Sequence, residues 1–90
     1  MDHLLTFELL KDLKQIEIHG DAEGLRLLAR ILDRLADQSE AGGQDHDHLK
    51  SSEWAGWELT TDLQSKDDST QAIHHVKVLA WPNAKGQENA

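Results

Sequence analysis

QIEIHGDAEGLRLLARILDRLA, residues 15–36, decides the fold class, because the spacing of its apolar residues changes partway along. Ile16 and Ile18 alternate with Gln15, Glu17 and His19, which predicts a strand ended by Gly20-Asp21. Leu25, Leu28, Ala29, Leu32, Leu35 and Ala36 then recur at helical spacing, with Arg26, Arg30, Asp33 and Asp37 on the opposite side. Asp21 suits the N-cap, since its carboxylate can accept bonds from the free amides of the first turn. Glu23 suits the positive end of the helix dipole, and Gly24 allows close packing. A strand running directly into an amphipathic helix predicts a mixed fold.

Upstream, Leu4 to Leu13 fits both a strand and a helix; the clean alternation that follows favours an extended segment. Downstream, Ser39 to Gln44 contains Gly42-Gly43 and reads as a connection. Asp45 to Leu49 and Trp57 to Thr61 are short strand candidates, separated by turns at Ser51-Ser52 and Ala55-Gly56. Gln64 to Thr70 is polar and reads as a hairpin loop. Ala72 to Trp81 is the strongest strand, with Val76, Val78 and Ala80 on one face and Ile73, His75, Lys77, Leu79 and Trp81 on the other; Pro82 stops it. The expected architecture is α+β: one amphipathic helix packed on a small, mostly antiparallel sheet of three to five strands. Residues 1–82 form the expected domain and 83–90 a polar flexible tail. The sheet face away from the helix is predicted to be partly open, and function is expected there.

Composition narrows the function classes. Ninety residues suffice for one domain, and the absence of cysteine excludes disulfides, thiolate zinc sites and thiol nucleophiles. Net charge is −8, and residues 41–70 hold seven acids against two bases. That balance argues against nucleic acid or an anionic membrane as partner, and it permits steering towards a basic protein. A soluble, cytoplasmic protein is expected, since Met1-Asp2-His3 lacks a secretory basic region and no apolar run approaches membrane-spanning length.

Few residues carry recognisable chemistry. His46 and His48 emerge on one face if their segment is a strand, and only one of His74 and His75 could join them. Three imidazoles with a carboxylate would make a credible zinc or iron site, but pairing of the two histidine segments cannot be read from sequence. The ordinary reading, half-buried polar groups on a sheet face, is preferred, and no metal or cofactor is expected. The glycines around Asp21 lack a P-loop Lys or Ser/Thr, and Ser51-Ser52 lacks a nucleophile-elbow context. No carboxylate pair has an evident desolvating environment, so no catalytic residue is assigned and no enzyme is expected. Trp54-Ala55-Gly56-Trp57 is more informative, because indoles are enriched among binding hot spots. Trp57 shares a predicted strand face with Leu59 and reads as core. Trp81 reads as structural, and Trp54, in the turn, as the contact candidate.

The order of these segments carries a resemblance. Ile16 to Leu25, the Leu-rich helix through Leu35-Ala36, Asp45-His46-Asp47-His48-Leu49, Glu53-Trp54-Ala55-Gly56-Trp57-Glu58-Leu59 and His75-Val76-Lys77-Val78 with Trp81-Pro82 together resemble the immunity protein 32 family of bacterial polymorphic toxin systems. The resemblance runs from about Phe7 to Pro82. It implies a cytoplasmic protein that binds and neutralises a cognate protein toxin. Asp45, Asp47, Glu53, Trp54, Glu58 and Asp62 are the expected partner-binding residues, drawn from the acidic stretch and its turn. A small histidine-based metal-binding protein and a sheet-edge homodimeric scaffold are the alternatives.

Overall fold

The change of spacing at Gly20 is realised as a strand-to-helix junction in a computed structural model that describes residues 3–83. The strands are β1 (Leu5–Leu10), β2 (Gln15–Gly20), β3 (Asp45–Lys50), β4 (Thr70–Ala72) and β5 (His75–Ala80), and the helix is α1 (Ala22–Glu40). The fold is α+β with every strand pair antiparallel, as the sequence predicts. Asp21 caps α1 by accepting from the Gly24 amide at 2.8 Å, and this bond holds its carboxyl below the usual carboxylate range.

The strands form two sheets rather than one, a three-stranded β2-β1-β4 and a two-stranded β3-β5. The strand expected from Ala72 to Trp81 breaks at Ile73-His74, and its two parts pair with different partners. The Ile73 amide still donates to the Phe7 carbonyl at 2.9 Å, and the Ser51 amide to the His74 carbonyl at 2.9 Å. The break therefore joins the sheets edge to edge and satisfies backbone groups on both sides. Trp81 lies beyond β5 with its ring 60% exposed; its carbonyl accepts from the Ser39 hydroxyl at 2.5 Å. The structural role expected of its ring thus falls to its backbone.

The helix stripe is rotated from the predicted one. Gly24 and Leu35 are buried, and Leu27, Leu28 and Ile31 pack on the core, whereas Leu25 and Leu32 are 47% and 44% exposed. A Cβ on Gly24 would lie 1.9 Å from the Leu4 carbonyl oxygen, so the closest approach of helix to sheet runs along the glycine. A side chain at position 24 would not fit in this orientation of α1.

Trp57 to Thr61 does not form the expected strand. Leu59 makes one isolated parallel bridge to Ser51, its amide donates to the Lys50 carbonyl at 3.1 Å, and the Thr60 amide donates to the Leu5 carbonyl at 2.7 Å. The segment is wedged between the start of β1 and the end of β3. Leu59 completes a core with Leu5 and Leu49, and truncating any of the three to alanine removes about 2–5 kcal/mol.

Gln64 to Thr70 is a cover rather than a hairpin loop. Glu8, fully buried on the β1 face away from the helix, accepts from the Gln64 and Ser65 amides at 2.9 Å each and from the Thr6 hydroxyl at 2.5 Å. Burial alone would raise the Glu8 pKa. The Thr6 hydroxyl, the two amides and nearby His19 outweigh it and hold the carboxyl below its ordinary value. The expected tail falls, apart from Asn83, outside the described residues.

Candidate functional site

The outer face of β3-β5 is where the open side of the fold is found. Its register sets His46 opposite Leu79, His48 opposite Lys77 and Lys50 opposite His75. His46 and His48 share this face, as their spacing predicts. His48 Nδ1 lies 2.7 Å from His75 Nε2, with the rings stacked at 4.9 Å, and the His46 ring meets that of His48 edge-on at 5.0 Å. Desolvation lowers the His48 pKa first, and the positive potential of His75, His46, Lys50 and Lys77 lowers it further.

Of the adjacent pair only His75 joins His46 and His48, as expected, and His74 turns to the tryptophan turn instead. Its ring stacks on Trp54 at 5.7 Å with planes 3° apart, and its Nδ1 lies 2.9 Å from the Ser51 hydroxyl.

Trp54 sits on a short 3-10 turn, Ser52–Trp54, closed by Ala55 in the left-handed conformation at φ 66°. Gly56 then passes so close to β3 that a Cβ would lie 2.4 Å from the Lys50 carbonyl oxygen, and its amide donates to the Ser51 carbonyl at 2.8 Å. Glycine is required there by the close approach. The result is a turn held by backbone bonds, from which Trp54 and Trp57 project 54% and 63% exposed.

Trp57 corrects the sequence reading that placed it in the core with Leu59. Strand alternation does not apply to this irregular segment, so Leu59 turns in while Trp57 stays out. Its ring meets His3 edge-on at 6.1 Å and walls two clefts. One, of roughly 230 Å³, is lined also by His3, Glu23, Leu27 and Arg30. The other, of roughly 370 Å³, includes Ser52, Gly56, Thr60, Thr61 and Asp62. The signal that could have exposed Trp57 was Gly56, which marks the whole Trp54–Trp57 stretch as a tight turn.

The expected partner-binding residues fall into three groups. Glu53, Trp54 and Asp62 lie on the exposed turn and its flank, with Glu53 Oε1 3.4 Å from His74 Nδ1. Glu58 reaches back to accept from the Lys50 amide at 3.0 Å. Asp45 and Asp47 lie on the helix side of β3, bridged by Arg34 at 3.0 and 2.9 Å. The His46 amide and then Arg34 hold the Asp45 carboxyl below the usual range.

A second polar cluster stands on the outer face of β1-β2, where Glu8, Glu17 and His19 bring ligand-type atoms within 4.8 Å of one another. His19 Nε2 is 2.8 Å from Glu17 Oε1. Glu8 already accepts from three donors, so this cluster closes the fold rather than presenting a site. The turn differs: two exposed indoles with a polar rim, on a fixed backbone, have the make-up of a protein-binding anchor.

A family model described as immunity protein 32 matches residues 15–76, more than half of the chain, from β2 through the tryptophan turn and into β5. No curated protein and no solved structure matches the chain. No helix among the described residues is long and apolar enough to cross a membrane.

Proposed function

The chain belongs to the immunity protein 32 family, and from that premise we propose that it binds and neutralises a cognate protein toxin through the Ser52–Asp62 turn. The observation that carries this reading is the pair of exposed indoles, Trp54 and Trp57, on a turn anchored by backbone bonds. Rigid aromatic anchors lose little conformational freedom on docking, and the neighbouring clefts offer shape to a partner's side chains. Glu53 and Asp62 supply the acidic rim. Asp45 and Asp47 add to the negative field in company with Arg34, and Glu58 holds the turn in shape from within.

The chain's net charge of −8 favours a basic toxin surface. Such complementarity raises the association rate and specificity more than the affinity. The role is stoichiometric capture in the cytoplasm of a bacterium whose neighbouring gene encodes the toxin, and the protein itself catalyses nothing. Co-expression with that neighbouring toxin domain tests the reading. Rescue of growth with co-purification of a complex is expected, and neither occurring would refute it.

A further inference from the structure

We propose that His48 and His75, with His46 closing the site, bind a divalent transition-metal ion of the zinc or nickel class on the outer face of β3-β5. The sequence leaves open whether the two histidine segments meet, and the register answers it. β3 and β5 are directly paired, and His48 Nδ1 and His75 Nε2 lie 2.7 Å apart. At a metal–nitrogen distance of about 2.0–2.1 Å, two imidazoles of a tetrahedral site have their nitrogens about 3.3 Å apart. The pair therefore needs to open by only a few tenths of an ångström, the ion replacing the hydrogen bond between the rings.

His46 is the third ligand because of its place on the strand. It lies two residues from His48, its side chain leaves the same face, and its ring is 5.0 Å away and exposed. Rotation about its own side-chain torsions, without backbone movement, brings it towards an ion held by the other two. An imidazole-only donor set suits zinc, nickel and copper over magnesium or calcium. Water completes the coordination on the open side. Lys77 and Lys50 stand opposite His48 and His75 on the same face, and their charge opposes a bound cation.

Zinc chloride titrated into tag-free protein at pH 7.5, by calorimetry and by histidine ring NMR, tests the site. One ion per chain with a dissociation constant of about 1–20 µM is expected, with ring shifts at His46, His48 and His75. The variants His48→Gln and His75→Gln each weaken binding at least tenfold, and His46→Gln about fivefold, while His3→Gln and His19→Gln leave it within twofold. Circular dichroism confirms that each variant folds. A dissociation constant weaker than about 100 µM, or shifts centred on His19, would overturn the proposal.

Discussion

The two outward sheet faces carry similar kinds of residue and end in opposite states. On β1-β2 the outer face holds Thr6, Glu8, Glu17 and His19; on β3-β5 it holds His46, His48, Lys50, His75 and Lys77. The first is covered: Gln64 and Ser65 donate to Glu8, and Thr6 and Glu8 are buried. Among the described residues the second has no such cover, and its His48 and His75 rings bond to each other. Burying a charged group without partners is costly, and Glu8 is partnered three times over, so the covered face is committed to stability. The bare face keeps its chemistry available.

The most severe way to break this contrast is to remove the acceptor beneath the cover. Glu8→Ala leaves the Gln64 and Ser65 amides and the Thr6 hydroxyl without their partner, and unfolding in urea should show a loss of about 3 kcal/mol or more. A domain of this size has a total stability of only about 5–15 kcal/mol. Lowering the pH sharpens the contrast, because the two faces respond in different windows. His48 has a folded pKa below its unfolded one, so the unfolded chain takes the proton more readily. Stability should fall as pH drops from about 6.5, and His48→Gln should flatten that limb. Glu8 is likewise depressed, and its contribution is lost only as pH falls below about 4.3. Thermal melts across pH 7.5 to 3.5 separate the two limbs. Smallest is Arg34→Ala, whose solvent-screened bridges to Asp45 and Asp47 add little, so the urea midpoint should move only slightly.

The elements that could be read from sequence are those fixed by local pattern. The Asp21 cap, the helix, β2, β3 and the outward pairing of His46 with His48 follow from period and capping. What could not be read depends on contacts distant in sequence. Leu59 alternates like a strand residue, yet it is drawn inward by bonds to β1 and β3, which leaves Trp57 outside. The rotation of α1 goes with the close approach of Gly24 to Leu4, a contact that no helical spacing encodes. The partner of Asp45 and Asp47 could not be read because the chain must turn back between α1 and β3 to bring Arg34, 11 and 13 residues earlier, beside them. The burial of Glu8 could not be read either, since its partners come from residues 64 and 65.

The proposal that the tryptophan turn is the surface a toxin meets rests on the exposed indoles, read in the light of the family. Calorimetry of the cognate toxin domain against the wild-type protein and the Trp54→Ala, Trp57→Ala double variant tests it most directly, once dichroism shows that both are folded. The account predicts a weakening of at least a hundredfold, as expected when two hot-spot side chains are truncated. Binding of the double variant within threefold of wild type would contradict it.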